Sequence, residues 1–337
     1  MTTIKTALIA LVLSLVPFQS GTGYKVETRY PVPGNGGFDY VTIDSGARRL
    51  YLSHGTQVDV IDPDNGKVIG TIADTPGVHG VALAPEFKHG FTSNGRENKV
   101  SMFDPATLQL INKIEVGKGP DGIYYDSNTK RVFTNNHGSH DITAIDAKTG
   151  QVVGTIKIEG DGESAVVADG LVYVNLEDTN EVAVFDPKSL EVKKRFPIGV
   201  AKTPTGLAYD AKTKRLFIGC RNEPTMVVMD AVSGRVITSF AIGRGVDYAA
   251  FDPQANLIFF SCSEGVLNIF HEKSADEYED AGPVKTQPSA RTMAFDPKTK
   301  KIFLSAAEYV ETPPATAGGR PQRSIKPGSF VVLVVSK

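Results

Sequence analysis

Apolar residues along this chain fall in short runs, alternating with polar positions and punctuated by Gly, Asn, Asp and Pro. One stretch shows the pattern completely. Gly122-Ile123-Tyr124-Tyr125-Asp126 predicts a strand, Ser127-Asn128-Thr129-Lys130 a turn, and Arg131-Val132-Phe133-Thr134-Asn135 a second strand. After the polar loop Asn136-His137-Gly138-Ser139-His140 comes a third strand, Asp141 to Asp146. The turn Lys148-Thr149-Gly150 then leads into a fourth, Gln151 to Ile156. Alternation, β-branched enrichment and turn residues of this kind are what strands and hairpins require.

This unit repeats. A short phrase returns seven times at a spacing of 40 to 44 residues, its second position being Asp39, His79, Asp121, Glu163, Thr205, Asp247 and Arg291. Each stands five residues before a matching site: Asp44, Ala84, Asp126, Ala168, Asp210, Asp252 and Asp296. A period near 42 residues built from short strands predicts an all-β, seven-bladed propeller with one four-stranded blade per repeat. Asp62, Asp104, Asp146, Asp186 and Asp230 end the third strands, where a short acceptor can bond its own turn, and they read as structural. Tyr24 to Tyr30 reads as an outer strand, whereas the last repeat stops after Phe330 to Val335 without one. The N-terminal strand is therefore expected to complete the seventh blade and remove the exposed edges of an open fan.

Length agrees with a single ring: the repeats fill residues 24–337 of the 337, leaving no room for a second domain. Residues 1–23 differ in kind. Lys5, the apolar run Ala7 to Val16 and the small, polar Ser20-Gly21-Thr22-Gly23 have the order of a secretory signal, with cleavage expected before Tyr24. The run is too short to span a bilayer comfortably, so no membrane span is expected in the mature chain, which is placed in the periplasm or outside the cell. Export permits disulfides. A one-residue offset between Arg215-to-Cys220 and Asn256-to-Cys262 suggests that Cys220 and Cys262 face each other from adjacent blades; two separate buried thiols are the alternative.

A net charge of -2 gives no basic footprint, so nucleic acid is not an expected partner. Without a Cys-x-x-Cys-His no covalent haem c is expected, and the absence of tryptophan disfavours WD40 and quinoprotein signatures, so no quinone is expected either. No phosphate-binding Gly loop or Gly-x-Ser-x-Gly elbow stands in a strand-to-helix context.

In a propeller the loops before the innermost strands and those joining second to third strands surround one mouth of the central channel. The first set supplies the seven phrase residues. The second supplies His54, Asn94, Asn136, His137, His140, Glu177, Asp178, Arg221, Asn222, Glu264 and Glu308. The last of these loops, Glu308 to Gly328, carries four prolines and three glycines; it suits either a partial lid or a solvated insertion. Four carboxylates (Asp39, Asp121, Glu163, Asp247) against Arg291 and His79 predict a net negative mouth that welcomes a cation. Asp39, Glu163, Asp247 and His79 are candidate ligands for calcium or manganese, or for zinc if His54 or His137 joins. Alternatively, the same groups pair around a water-filled channel, Arg291 bridging to Asp39 and His79 sitting between Asp39 and Asp121. Ligand-binding candidates are thus Asp39, His79, Asp121, Glu163, Asp247, Arg291, His54, Asn94, Asn136 and His137. A small molecule, a metal ion or an envelope protein would be the partner.

Gly117-x-Gly119-Pro120-Asp121-Gly122-Ile123, Val58-Asp59-Val60-Ile61-Asp62-Pro63 with its copies, and Pro327 to Val335 after a Pro-rich insertion are similar to the YncE-like proteins, exported seven-bladed propellers of YVTN-type repeats. The resemblance covers the whole mature chain and specifies the repeat, not the activity, since such propellers include binding proteins, lactonases, lyases and redox domains. It implies a binding protein without turnover or, by analogy with lactonase-type propellers, a metal-dependent hydrolase or lyase. In that second version His79 is the general base and Arg291 stabilises the oxyanion.

Overall fold

The computed structural model describes residues 21–34, 36–199, 201–312 and 322–337. Seven antiparallel sheets follow one another in chain order, each with its first strand innermost. Blade 3, for example, is Pro120–Asp126, Arg131–Asn136, Asp141–Asp146 and Val152–Lys157, paired in that order. The seventh sheet is assembled from both ends of the chain: Met293–Phe295, Ile302–Ala306, Val331–Ser336 and then Lys25–Pro31. Closure by the N-terminal strand is thus as expected. Residues 1–20, most of the expected leader, lie outside the described residues.

Why the sheets stack is visible in their second strands. Tyr51, Phe91, Phe133, Tyr173, Phe217, Phe259 and Phe303 occupy one equivalent position per blade, and all are buried. Each is worth roughly 1.5–3 kcal/mol relative to an exposed side chain. The apolar core is correspondingly divided into seven clusters, one in each gap between neighbouring blades. The gap that closes the ring has an apolar cluster of its own, with Tyr30, Leu50, Leu52, Phe303, Phe330 and Val332 packed together.

Turn chemistry follows the expected carboxylates. Asp146 Oδ1 accepts the backbone N–H groups of Lys148 and Thr149, and Asp230 Oδ1 those of Val232 and Ser233. The hairpin then needs a left-handed residue, supplied by Gly150 (φ 72°) and Gly234 (φ 74°).

Two expectations change. The long last loop begins and ends as a two-stranded ribbon, Tyr309–Thr312 against Gln322–Ile325; its tip, with Pro313, Pro314 and Pro321, lies outside the described residues. Cys220 and Cys262 are separate, buried free thiols. Pairing of Asp210 with Arg215 and of Asp252 with Leu257 puts the cysteines at equivalent positions, without the offset expected from the sequence. Both therefore face the preceding blade, Cys220 packing in the gap between blades 4 and 5 and Cys262 in that between blades 5 and 6. The sheet of blade 5 stands between them.

Candidate functional site: the channel mouth

Most of the phrase residues are aimed by a bulge, a clamp or both. In blades 2 to 6 the ladder between first and second strands shifts register at this point, for instance between Pro120 and Ile123 or between Gly162 and Ala165. A bulge frees the local backbone and redirects its side chain. The freed carbonyl is caught by the blade before: Ser93 donates to the Asp121 carbonyl, Asn135 to that of Glu163, Asn175 to that of Thr205 and Ser261 to that of Arg291. Ser305 closes the circle on the carbonyl of Asp39. Blade 5 has Gly219 at the clamping position; there Thr205 itself donates to the carbonyl of Val246.

The clamps bring the ionisable residues together. His79 Nδ1 lies 2.7 Å from Asp39 Oδ2 and 3.6 Å from Asp121 Oδ1. Arg291 joins Asp39 (Nη2 to Oδ1, 3.3 Å) to Asp247 (Nε to Oδ2, 3.0 Å). Arg221 also bonds Asp247 and reaches Glu177 at 3.3 Å. Glu163 Oε2 accepts the Tyr40 hydroxyl at 3.1 Å from the other side of the channel. Asp39, Asp121, His79 and Arg291 thus form the paired arrangement that was the alternative to a cation cage.

Charge at the mouth is more balanced than the sequence ledger suggests. Burial opposes ionisation of His79, yet the hydrogen bond with Asp39 and the charges of Asp121 and Asp39 outweigh it and push the imidazolium up to about 9. Burial, only partly countered by His79, pushes Asp121 up to about 6. Burial and the neighbouring Asp121 hold Glu163 well above the usual carboxylate range. His79, Arg221 and Arg291 thus set three cations among the carboxylates, and Glu163 is shifted toward its protonated form. Arg221, which was not counted with the ring from the sequence, offsets part of the negative charge expected there.

The proposed metal ligands do not all converge. Asp39, His79 and Asp121 offer ligand atoms within 4.8 Å of one another, but Glu163 and Asp247 are not in that group. Tyr40 holds the first, and two arginines hold the second. His54 is also elsewhere: it is buried, its Nδ1 2.7 Å from Asp59 Oδ2 and its Nε2 accepting the N–H of Gly36, so neither nitrogen is free. Asn94 spends its amide on Glu97 and Ser101, and Asn136 on Asp141 and Thr143. They brace their own blades. His137 Nε2 sits 2.9 Å from the Gly162 carbonyl and 4.0 Å from Glu163 Oε1, at the margin of the ring.

Beneath the ring lies a cavity of about 330 Å³ whose lining includes Tyr40, Tyr124, Tyr248, Glu163, Ile123 and Leu83. These tyrosines were not singled out from the sequence. An aromatic directly after the charged position in Asp39-Tyr40 and Asp247-Tyr248 was the available signal.

Fold and repeat together define a seven-bladed β-propeller. Residues 86–292 match the YncE-like β-propeller family, and the chain belongs to it. No curated protein matches the chain in sequence. Among solved structures it is similar to hydrazine synthase of Kuenenia stuttgartiensis (TM-score 0.70, 16% identity, covering 81% of this chain and 94% of that one). It is also similar to a chain of the mitotic checkpoint complex (TM-score 0.73, 13% identity, 91% and 95% covered). Identities this low speak to the fold alone. Among the described residues no helix is long and apolar enough to cross a membrane.

Proposed function

We propose that this propeller binds a small polar molecule at the channel mouth without turning it over. The ligand class is one that presents a hydroxyl or ammonium donor to Asp121 and lays its body against the tyrosines of the cavity. The observation that carries the reading is Asp121 Oδ1, a buried carboxylate oxygen that faces the His79 imidazolium at 3.6 Å but accepts no hydrogen bond. Leaving such a group unsatisfied costs about 1–3 kcal/mol, which a ligand donor would recover. A preformed cavity with a few convergent polar groups is the usual architecture of a small-molecule site. Binding without turnover is favoured because His79, the candidate base, is protonated near neutral pH and already held by two carboxylates. Thermal-shift screening with small polyols and amines tests it: saturable stabilisation is expected, weakened tenfold or more in Asp121→Asn. If no compound of either class stabilises the protein, the reading fails.

A second reading, a divalent metal serving a lactonase-like hydrolase or a lyase, is supported by the Asp39, His79 and Asp121 cluster. The metal would have to displace the proton that those carboxylates stabilise on His79. Metal analysis of the purified protein and of an Asp39→Asn variant separates the readings: stoichiometric metal lost in the variant favours the second. The leader-like residues 1–23 support export to the periplasm or beyond, and the mass of the mature chain, expected to begin near Tyr24, tests that.

A further inference from the structure

Beside the carboxylate ring is a second pocket of about 230 Å³, lined by Arg221, Arg291, Arg323, Tyr309, Ser263 and Ser289, with no carboxylate in its wall. Two of its arginines belong to the ring and are paired with Asp247, yet their side chains remain 34% and 39% exposed, so a face of each guanidinium is open to a ligand. The third comes from the ribbon of the last loop. Arg323 Cζ lies over the Tyr309 ring, 4.1 Å from its centroid, a cation–π contact that restrains the guanidinium. Its cross-strand neighbour is Glu311, but among the described residues Arg323 makes no ion pair within 4.0 Å, whereas the nearby Glu308 is paired with Lys326. Ser263 Oγ likewise has no hydrogen-bond partner among the described residues.

We infer that this pocket is an oxyanion site, in which Arg323, Arg291 and Arg221 receive a carboxylate or phosphate group and Ser263 donates a further hydrogen bond. Guanidinium forks match both kinds of oxyanion bidentately, and charge-assisted bonds of this type are about twice as strong as neutral ones. The unpaired Arg323 supplies the charge that the two ring arginines, shared with Asp247, do not. The site uses neither Asp121 nor the cavity below it, so it goes beyond the small-molecule reading and stands or falls separately.

Calorimetric titration at low ionic strength with inorganic phosphate, succinate and acetate tests the assignment on the whole mature chain. At least one of the three is expected to bind saturably, more weakly as salt is raised, and phosphate against the two carboxylates tells which oxyanion geometry fits. Arg323→Ala should weaken that binding about tenfold or more, with Arg323→Lys intermediate. Circular dichroism should show both variants folded, since Arg323 is exposed and unpaired. Asp121→Asn should leave oxyanion binding intact while weakening polyol or amine binding tenfold or more, which keeps the two sites distinguishable. Failure of all three anions to bind, or equal affinity in Arg323→Ala, overturns the proposal.

Discussion

Arg291 Nη2 stands 3.3 Å from Asp39 Oδ1, joining the last blade to the first across a separation of 252 residues. The same guanidinium holds Asp247, so it neutralises two carboxylates that would otherwise repel across the closure. Replacing Arg291 by Met should destabilise the ring. Its side chain is 39% exposed, so solvent screening limits the loss to about 1 kcal/mol rather than the larger cost of breaking a buried pair. Urea unfolding of Arg291→Met, Asp39→Asn and the double variant measures it; strict additivity would show that the pair is not coupled.

His79 should remain an imidazolium well above the pH at which histidine ordinarily loses its charge. With its folded value raised to about 9, it contributes stability that is complete below pH 6.5 and is lost as pH rises through 9. The NMR titration of its ring should show this directly, and Asp39→Asn should lower the midpoint by about a unit or more. An unshifted midpoint in the parent protein would remove the argument that His79 is no general base.

Glu163 gives a pH dependence of the same sign. Its folded value lies well above its unfolded one, so the fold binds the proton more tightly and this residue's contribution declines once pH exceeds about 4.5. Glu163→Gln imitates the protonated form and keeps an acceptor for the Tyr40 hydroxyl. Melting temperature followed against pH should therefore fall less steeply in the variant, which should be at least as stable as the parent near neutrality.

Cys220 and Cys262 should stay unpaired even in an oxidising compartment. Burial pushes the Cys220 thiol up to about 12 and raises Cys262 as well, and the sheet of blade 5 separates them. Neither is a ready nucleophile. Two free thiols titratable only after denaturation are expected, with a melting temperature indifferent to reductant.

How far the sequence could be read depended on the range of the forces involved. Blade count, strand order and closure follow from alternation and a fixed period, which are local and repeated seven times. The placing of Asp39, His79, Asp121, Glu163, Asp247 and Arg291 at equivalent positions of successive blades follows from the same register, but which of them meet does not. What escaped was set by contacts between repeats. Arg221 and Glu177 were recognisable only as polar loop residues, and it took the loop conformations to bring them onto Asp247 and each other. His54 occupies a loop with the right address, but Asp59, five residues on, captures its ring. The cysteines failed through a single-residue misalignment, because along a strand one residue exchanges one face for the other.

Ser93 offers the sharpest test of how the site is held. Fully buried, its hydroxyl accepts the N–H of Gly80 and donates to the carbonyl of Asp121, so one small side chain ties the bulge of its own blade to that of the next. Ser93→Ala removes almost no volume but strands a buried donor and a buried acceptor, which should cost about 1–3 kcal/mol in chemical denaturation. The same change frees the backbone that aims Asp121 at His79, so the elevated His79 midpoint should fall as well, although neither residue has been altered. A Ser93→Ala protein that loses stability while keeping the parent His79 titration would show that the clamp fastens blades together without positioning the ring.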